Sequence, residues 1–348
     1  MTSPGRSGIR WAIFGALCLV CVAAPVFYLR RAIQPVPEVA ADGKSGGTQL
    51  SAEILASAGR VFYRHTGQDS NNYGRLMVAD LSSQPTRFTA TPIVCERVHF
   101  AAGRGICLTA DRRVLTTYQA LLVDSEFNVR KRLPLTGMPS RARVSPDGHF
   151  AAFTVFESGH SYSSGNFSTR TCVVDLEKCE LRIDNIESFK VLKDGAPIDS
   201  ADRNFWGVTF ARESNRFFAT LQTGGKIYLI EGDLARGEAR VEREGIECPS
   251  LSPDNTRLAF KKRKGGRFEP VSWRIAVLNL ATKSEQELAE TRSVDDQVDW
   301  LDDQNVLYAL PEALSGSSVL DTWTVPADGS GAPRLAMPKA YSLGVLRG

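Results

Sequence analysis

Arg143-Val144-Ser145-Pro146-Asp147-Gly148-His149-Phe150-Ala151-Ala152-Phe153 returns later in the chain as Ser250-Leu251-Ser252-Pro253-Asp254-Asn255-Thr256-Arg257-Leu258-Ala259-Phe260. Looser copies run Val98-His99-Phe100 to Ile106-Cys107-Leu108, Val208-Thr209-Phe210 to Phe217-Phe218-Ala219, and Val298-Asp299-Trp300 to Val306-Leu307-Tyr308. A degenerate first copy is Ile54-Leu55-Ala56 to Val61-Phe62-Tyr63. Anchored on their first apolar residues, the copies sit at 54, 98, 144, 208, 251 and 298, in steps of 44, 46, 64, 43 and 47 residues. Repeats of this length build radial or solenoid architectures.

Each copy reads as strand, turn, strand. Apolar and polar residues alternate before the turn. Pro presets φ, Asp bonds its own backbone and Gly accepts positive φ. Branched and aromatic residues follow, suited to a pleated sheet. A second hairpin comes after each copy, with strands such as Leu76 to Leu81, Thr171 to Leu176 and Ile275 to Leu280; Asp80, Asp175 and Asn279 stand where a turn is due. Four strands per repeat and six repeats, with almost no helical periodicity, predict an all-β chain: a six-bladed β-propeller of four-stranded antiparallel blades. A lone blade cannot bury both faces, so stacking of blades must build the core.

Residues 11–29 carry no charge and are bracketed by Arg6, Arg10, Arg30 and Arg31. Nineteen apolar residues just span a bilayer. Pro25 directly after Ala23-Ala24 is a poor follower of a cleavage site, so the segment reads as a retained anchor and not a cleaved signal. The expected organisation is a tail at 1–10, one transmembrane helix at 11–29, a linker at 30–50 and the propeller at 51–348. The short tail is easily left in the cytoplasm, which places the propeller in the periplasm or on another extracytoplasmic face, although the flanking arginines nearly balance.

Forty-two basic against 39 acidic residues leave a net charge of +3, which gives no pull toward nucleic acid. Seven cysteines include two in the anchor. Cys172 and Cys179 flank a hairpin turn but lie out of register for a bridge, and Cys95 and Cys248 precede strands of distant blades. The expectation is therefore of buried or free thiols and no disulfide framework. Gly-x-Ser-x-Gly, His-Glu-x-x-His and phosphate-loop motifs are absent, and the four histidines are spread over three repeats. No metal or cofactor is expected.

In a propeller the second-to-third and fourth-to-first connections share one rim. Here that rim receives the longer connections, 65–73, 157–169, 261–273 and 311–321, and a further insertion at 186–206. Length beyond what a turn needs marks this rim as the candidate binding face. Tyr162, Asn166 and Phe167 lie in a stretch rich in Tyr, Ser, Gly and Asn, the palette of adaptable contacts; a flexible insertion is the competing reading. Residues 261–267 form the densest basic run, ending at Arg267. It reads first as a solvated hairpin tip and second as a surface for anionic lipid or an acidic partner. The recurring aromatics Trp206, Phe210, Trp300 and Trp323 read as packing between blades.

The phrases Val144-Ser145-Pro146-Asp147-Gly148 and Leu251-Ser252-Pro253-Asp254-Asn255, with the strands that follow them, resemble the repeats of the TolB-like propeller family over residues 50–345. The resemblance implies a six-bladed propeller used mainly for protein interaction. It leaves no room for the small N-terminal domain or the hydrolase domain that some members carry. The expected function is a non-enzymatic module that binds a protein or glycan through Tyr162, Asn166, Phe167 and Arg267. The alternative is a lyase or hydrolase acting on a glycan or lactone at the channel mouth, where His99, Asp299 and Glu96 come closest to suitable chemistry. A third reading is a structural subunit that depends on its partner.

Overall fold

The computed structural model describes Leu55 and residues 58–68, 71–83, 85–157, 168–266, 269–312 and 318–346. The tail, the expected anchor at 11–29 and the linker lie outside these residues. No helix among the described residues is long and apolar enough to cross a membrane.

Six sheets, each built on four antiparallel blade strands, follow one another along the chain. Blade 2 holds Arg97–Ala101, Arg104–Asp111, Thr117–Val123 and Val129–Leu135 from channel to exterior, and blade 3 holds Met138–Val144, Phe150–Glu157, Ser168–Asp175 and Glu180–Ile183. Blade 4 is Asn204–Phe210, Arg216–Thr223, Lys226–Asp233 and Glu238–Glu244; blade 5 is Glu247–Leu251, Arg257–Gly266, Glu269–Asn279 and Glu285–Glu287. Blade 6 is Asp299–Trp300, Asn305–Pro311, Leu320–Pro326 and Arg334–Met337.

Blade 1 closes the ring differently from the expectation. Its inner strand is the C-terminal Ala340–Val345, paired with Arg60–His65, followed by Arg75–Asp80 and Arg87–Val94. That place, expected for the copy beginning at Ile54, is taken by the C-terminal strand, and Leu55 is wholly buried beside Val61, Leu307 and Leu343. Joining the two ends of the domain in one sheet removes the open seam a circular fold would otherwise have.

The repeated phrase works through its serine and aspartate. Ser145 Oγ donates to Asp147 Oδ1 at 2.6 Å and accepts from the Phe150 amide at 2.9 Å, while the His149 amide donates to Asp147 Oδ1 at 3.0 Å. Ser252, Asp254, Thr256 and Arg257 repeat the same three bonds. Gly148 and Asn255 hold the positive φ the turn requires, +72° and +61°. Asp175 and Asn279 close their strands as expected, each accepting two amides from the following turn.

The hydrophobic core divides among the blade junctions. Phe150, Val173, Phe205 and Phe217 fill the junction of blades 3 and 4; Ala259, Val277, Trp300 and Val306 fill that of blades 5 and 6. Similar clusters lie at the other four junctions. Trp206, Phe210 and Trp300 are buried, as packing between blades demands.

Three expectations need correction. The insertion at 186–206 is more than a rim loop: Lys190–Lys193 adds to blade 4 in parallel with Glu238–Glu244, and Ile186, Phe189 and Val191 are buried in the core. The run at 261–266 lies in a strand ladder and not a loop. Lys261 is 2% exposed between Glu247 and Asp295, Lys262 pairs with Glu285, and Lys264 pairs with Glu287 at 2.7 Å. Cys95 and Cys107 form a disulfide, with Cα atoms 5.5 Å apart, whereas Cys172, Cys179 and Cys248 are free. Register explains the bridge: Cys107 lies opposite Val98, and the chain at Glu96 bends back so that its amide reaches Leu108.

Candidate functional site

The channel is lined by the inner strands, and the ladders fix which residues share a level. The residue just before each inner turn is Phe100, Val144, Phe210, Leu251 or Trp300. Sequence spacing had set Val144 and Leu251 level with Val98, Val208 and Val298; the ladders move them two residues along. One residue earlier stand His99, Arg143, Thr209, Ser250 and Asp299, all on the channel side because side chains alternate along a strand.

Three of these form a linked tier across blades 2, 3 and 6. Arg143 Nη1 lies 2.8 Å from Asp299 Oδ1 and 3.1 Å from His99 Nε2, and His99 Nε2 lies 3.3 Å from Asp299 Oδ2. Arg143 Nη2 donates to the Val298 carbonyl at 2.9 Å. The Val144 amide donates to His99 Nδ1, which fixes the ring as the Nε2–H tautomer facing Asp299.

A second tier lies nearer the long-loop rim. Asp296 takes Arg97 Nη1 at 2.9 Å and Arg141 Nη1 at 3.3 Å, and Arg97 stacks on the Tyr341 ring at 4.5 Å. Burial pulls the Arg97 guanidinium down to about 10, with Asp296 opposing and Arg141 and Arg64 reinforcing. It stays charged at neutral pH. Gln297 spans blades by donating to the carbonyls of Val208 and Pro249.

His99, Arg143 and Asp299 border two cavities. On the long-loop side they face a space of about 50 Å³ together with Arg97, Arg141 and Asp296. On the short-turn side they floor a cup of about 160 Å³ walled by Pro146, Phe210, Leu251, Pro253 and Trp300. The tier is thus a septum between two mouths.

Of the three residues that come closest to the enzyme alternative, His99 and Asp299 meet and Glu96 does not join them. Glu96 pairs with Arg112 at 2.7 Å and lies 3.8 Å from Arg64. Tyr162, Asn166, Phe167 and Arg267 fall outside the described residues. Sequence reading passed over Arg97, Arg141, Arg143 and Asp296. Their signal was present in the alternation Arg97-Val98-His99 and Arg141-Ala142-Arg143, where charge recurs every second residue of a buried strand. Among the described residues no group of three His, Cys, Asp or Glu side chains gathers to hold a metal ion.

No protein-family model and no curated protein sequence matches the chain. Among solved structures it is similar to TolB from Acinetobacter baumannii, with a TM-score of 0.54 and 18% identity over 82% of this chain and 66% of that one. It is also similar to a putative TolB from Agrobacterium tumefaciens, with a TM-score of 0.49 and 10% identity over 80% of this chain and 87% of that one. An oligogalacturonate lyase from Vibrio parahaemolyticus gives 0.48 and 12% identity, over 74% and 77% of the two chains. Identities this low speak to fold and not to activity. With six radial blades and the Ser-Pro-Asp turns of its repeats, the chain has the fold of the TolB-like six-bladed β-propellers.

Proposed function

We propose that the chain is a membrane-anchored, non-enzymatic binding module. Its long-loop rim holds a protein or glycan partner through Tyr162, Asn166, Phe167 and Arg267, residues 11–29 anchor it, and the propeller faces the extracytoplasmic side. The observation that carries this reading is the blade 5 hairpin. Its strands, Arg257–Gly266 and Glu269–Asn279, have 10 and 11 residues and are longer than any other among the described residues, with Gly265, Gly266 and Val271 exposed. Long paired strands reaching the rim suit presentation of contacts.

Two further features support it. A buried disulfide fits an oxidising compartment better than the cytosol. His99 ties blade 2 to blade 3 through Nδ1 and faces Asp299 and Arg143 through Nε2, so proton transfer through the ring would disturb a blade junction. That argues for a brace and against a general base.

Capture of partners from native membranes by the full-length chain, beside a version lacking residues 159–167, tests the reading. A stoichiometric partner lost with the loop, at unchanged thermal stability, supports it. A partner retained without the loop moves the site elsewhere. Recovery of nothing by either version favours the enzyme alternative.

A further inference from the structure

The cavity on the long-loop side of the septum has a charge imbalance. Among the described residues that line it, Arg97, Arg141 and Arg143 face only Asp296 and Asp299, and His99 is a neutral ring. One positive charge is left over in a space where each of the three arginine side chains is less than a fifth exposed. In addition, the Nε–H groups of Arg141 and Arg143 are buried without an acceptor. Buried donors left unmatched cost stability, and guanidinium is matched best by a carboxylate.

Size narrows the class. The space is about 50 Å³. A water molecule claims roughly 30 Å³ in the liquid, and a cavity known to take a benzene ring measures about 150 Å³. A carboxylate group therefore fits and a sugar ring does not. Val98, Leu307 and Leu343 also line the cavity and offer apolar surface to a methylene stem.

We propose that this cavity is a receptor for one carboxylate on a flexible stem, the side chain of an Asp or Glu in a protein bound at the long-loop rim. Arg141 and Arg97 receive the carboxylate, Asp296 holds the two guanidinia in place, and the septum of His99, Arg143 and Asp299 stops deeper entry. The identity of the donor as a protein rests on the rim-binding reading above; the carboxylate site itself does not.

The test needs no partner. Thermal unfolding of the purified full-length chain is followed at constant ionic strength with N-acetylglutamate α-amide, with the matching N-acetylglutamine amide, with galacturonate and with chloride. The expected result is a saturable rise in midpoint with the glutamate compound, about 3 °C at ten times its half-saturating concentration. The glutamine compound and chloride should give no such rise. Arg141→Gln should abolish the response and Arg113→Gln, at an 87% exposed side chain outside the cavity, should keep it. If Arg141→Gln does not fold, the glutamate–glutamine contrast in the native chain still decides. Equal shifts from glutamate, glutamine and chloride overturn the site; a larger shift from galacturonate overturns the peptide assignment. Either failure leaves the rim-loop capture experiment standing, so the two readings fall separately.

Discussion

The amide of Val144 donates to Nδ1 of His99 at 3.0 Å, and the amide of Leu251 donates to Oγ1 of Thr209 at 3.1 Å in the equivalent place two blades on. His99 and Thr209 thus perform one task with different chemistry: each satisfies a backbone donor of the next inner strand. A buried amide without an acceptor costs about 1–3 kcal/mol. His99→Thr should therefore be more stable than His99→Val, by about 1 kcal/mol or more in urea denaturation, although Thr and Val have the same shape. Equal stability of the two variants would falsify the bracing role.

How much of this was legible beforehand depends on distance along the chain. Turn chemistry at Ser145 to Gly148 and Ser252 to Asn255 is local, and so is the alternation that marks strands; both followed from residue types. The register between neighbouring inner strands is set by contacts such as Val144 to His99, across 45 residues, and nothing local records them. That is why the levels of Val144 and Leu251 came out two residues off. Closure of blade 1 by Ala340–Val345 is the longest-range pairing of all, and the weak copy around Leu55 masked it. At the candidate site, Arg97 and Arg141 look like ordinary polar strand residues until the ring brings Asp296 between them.

The disulfide was hidden for a different reason. Hairpin flanks and equivalent blade positions were the natural pairs to compare, whereas Cys95 lies just outside the inner strand of blade 2 and Cys107 within its second strand. The bridge pins blade 1's exit to blade 2, beside the seam that the C-terminal strand closes. Closing a loop of 12 residues stabilises by about 3 kcal/mol. Cys95→Ser with Cys107→Ser should lower the denaturation midpoint accordingly, and reductant should lower the wild type toward the double variant while leaving the variant unmoved. Insensitivity of the wild type to reductant, with peptide mapping showing free Cys95, would contradict the bridge.

Glu290 supplies a pH-dependent contribution. It is buried, accepts from Arg292 Nη2 at 2.6 Å and from the Tyr308 hydroxyl, and touches the Arg292 amide at 2.8 Å. Burial alone would raise its pKa, but Arg292 and Tyr308 outweigh burial and hold it below the ordinary value. A carboxyl depressed in the folded state binds its proton first when unfolded, so its contribution is present above the unfolded value and lost as pH falls through the folded one. Wild type should exceed Glu290→Gln by about 2 kcal/mol near neutrality. That gap should hold down to about pH 4.3, the ordinary glutamate value, and shrink below it. Chemical denaturation across pH 3 to 8 measures the gap directly; a gap that widens in acid would reverse the sign of the argument.

Gly207 tests how closely the inner strands must approach. Its φ is +66°, and a Cβ there would come within 2.8 Å of the Cys248 Cα on the neighbouring blade. Both the left-handed backbone and the contact act against any side chain, and neither neighbour can yield, because the Cys248 amide is held by Thr220 Oγ1 at 2.7 Å. The left-handed conformation costs about 1–2 kcal/mol for a non-glycine residue and overpacking typically about 1–3 kcal/mol more. Gly224 is the control: its φ is +58°, yet an added Cβ meets nothing within 4 Å. Gly207→Ala should therefore lose on the order of 3 kcal/mol and Gly224→Ala only about 1 kcal/mol. Since the Cys248 thiol is wholly buried at this crossing, Gly207→Ala should also expose it to thiol reagents under native conditions, which Gly224→Ala should not. A loss of stability without that exposure would place the strain elsewhere than at the junction of blades 4 and 5.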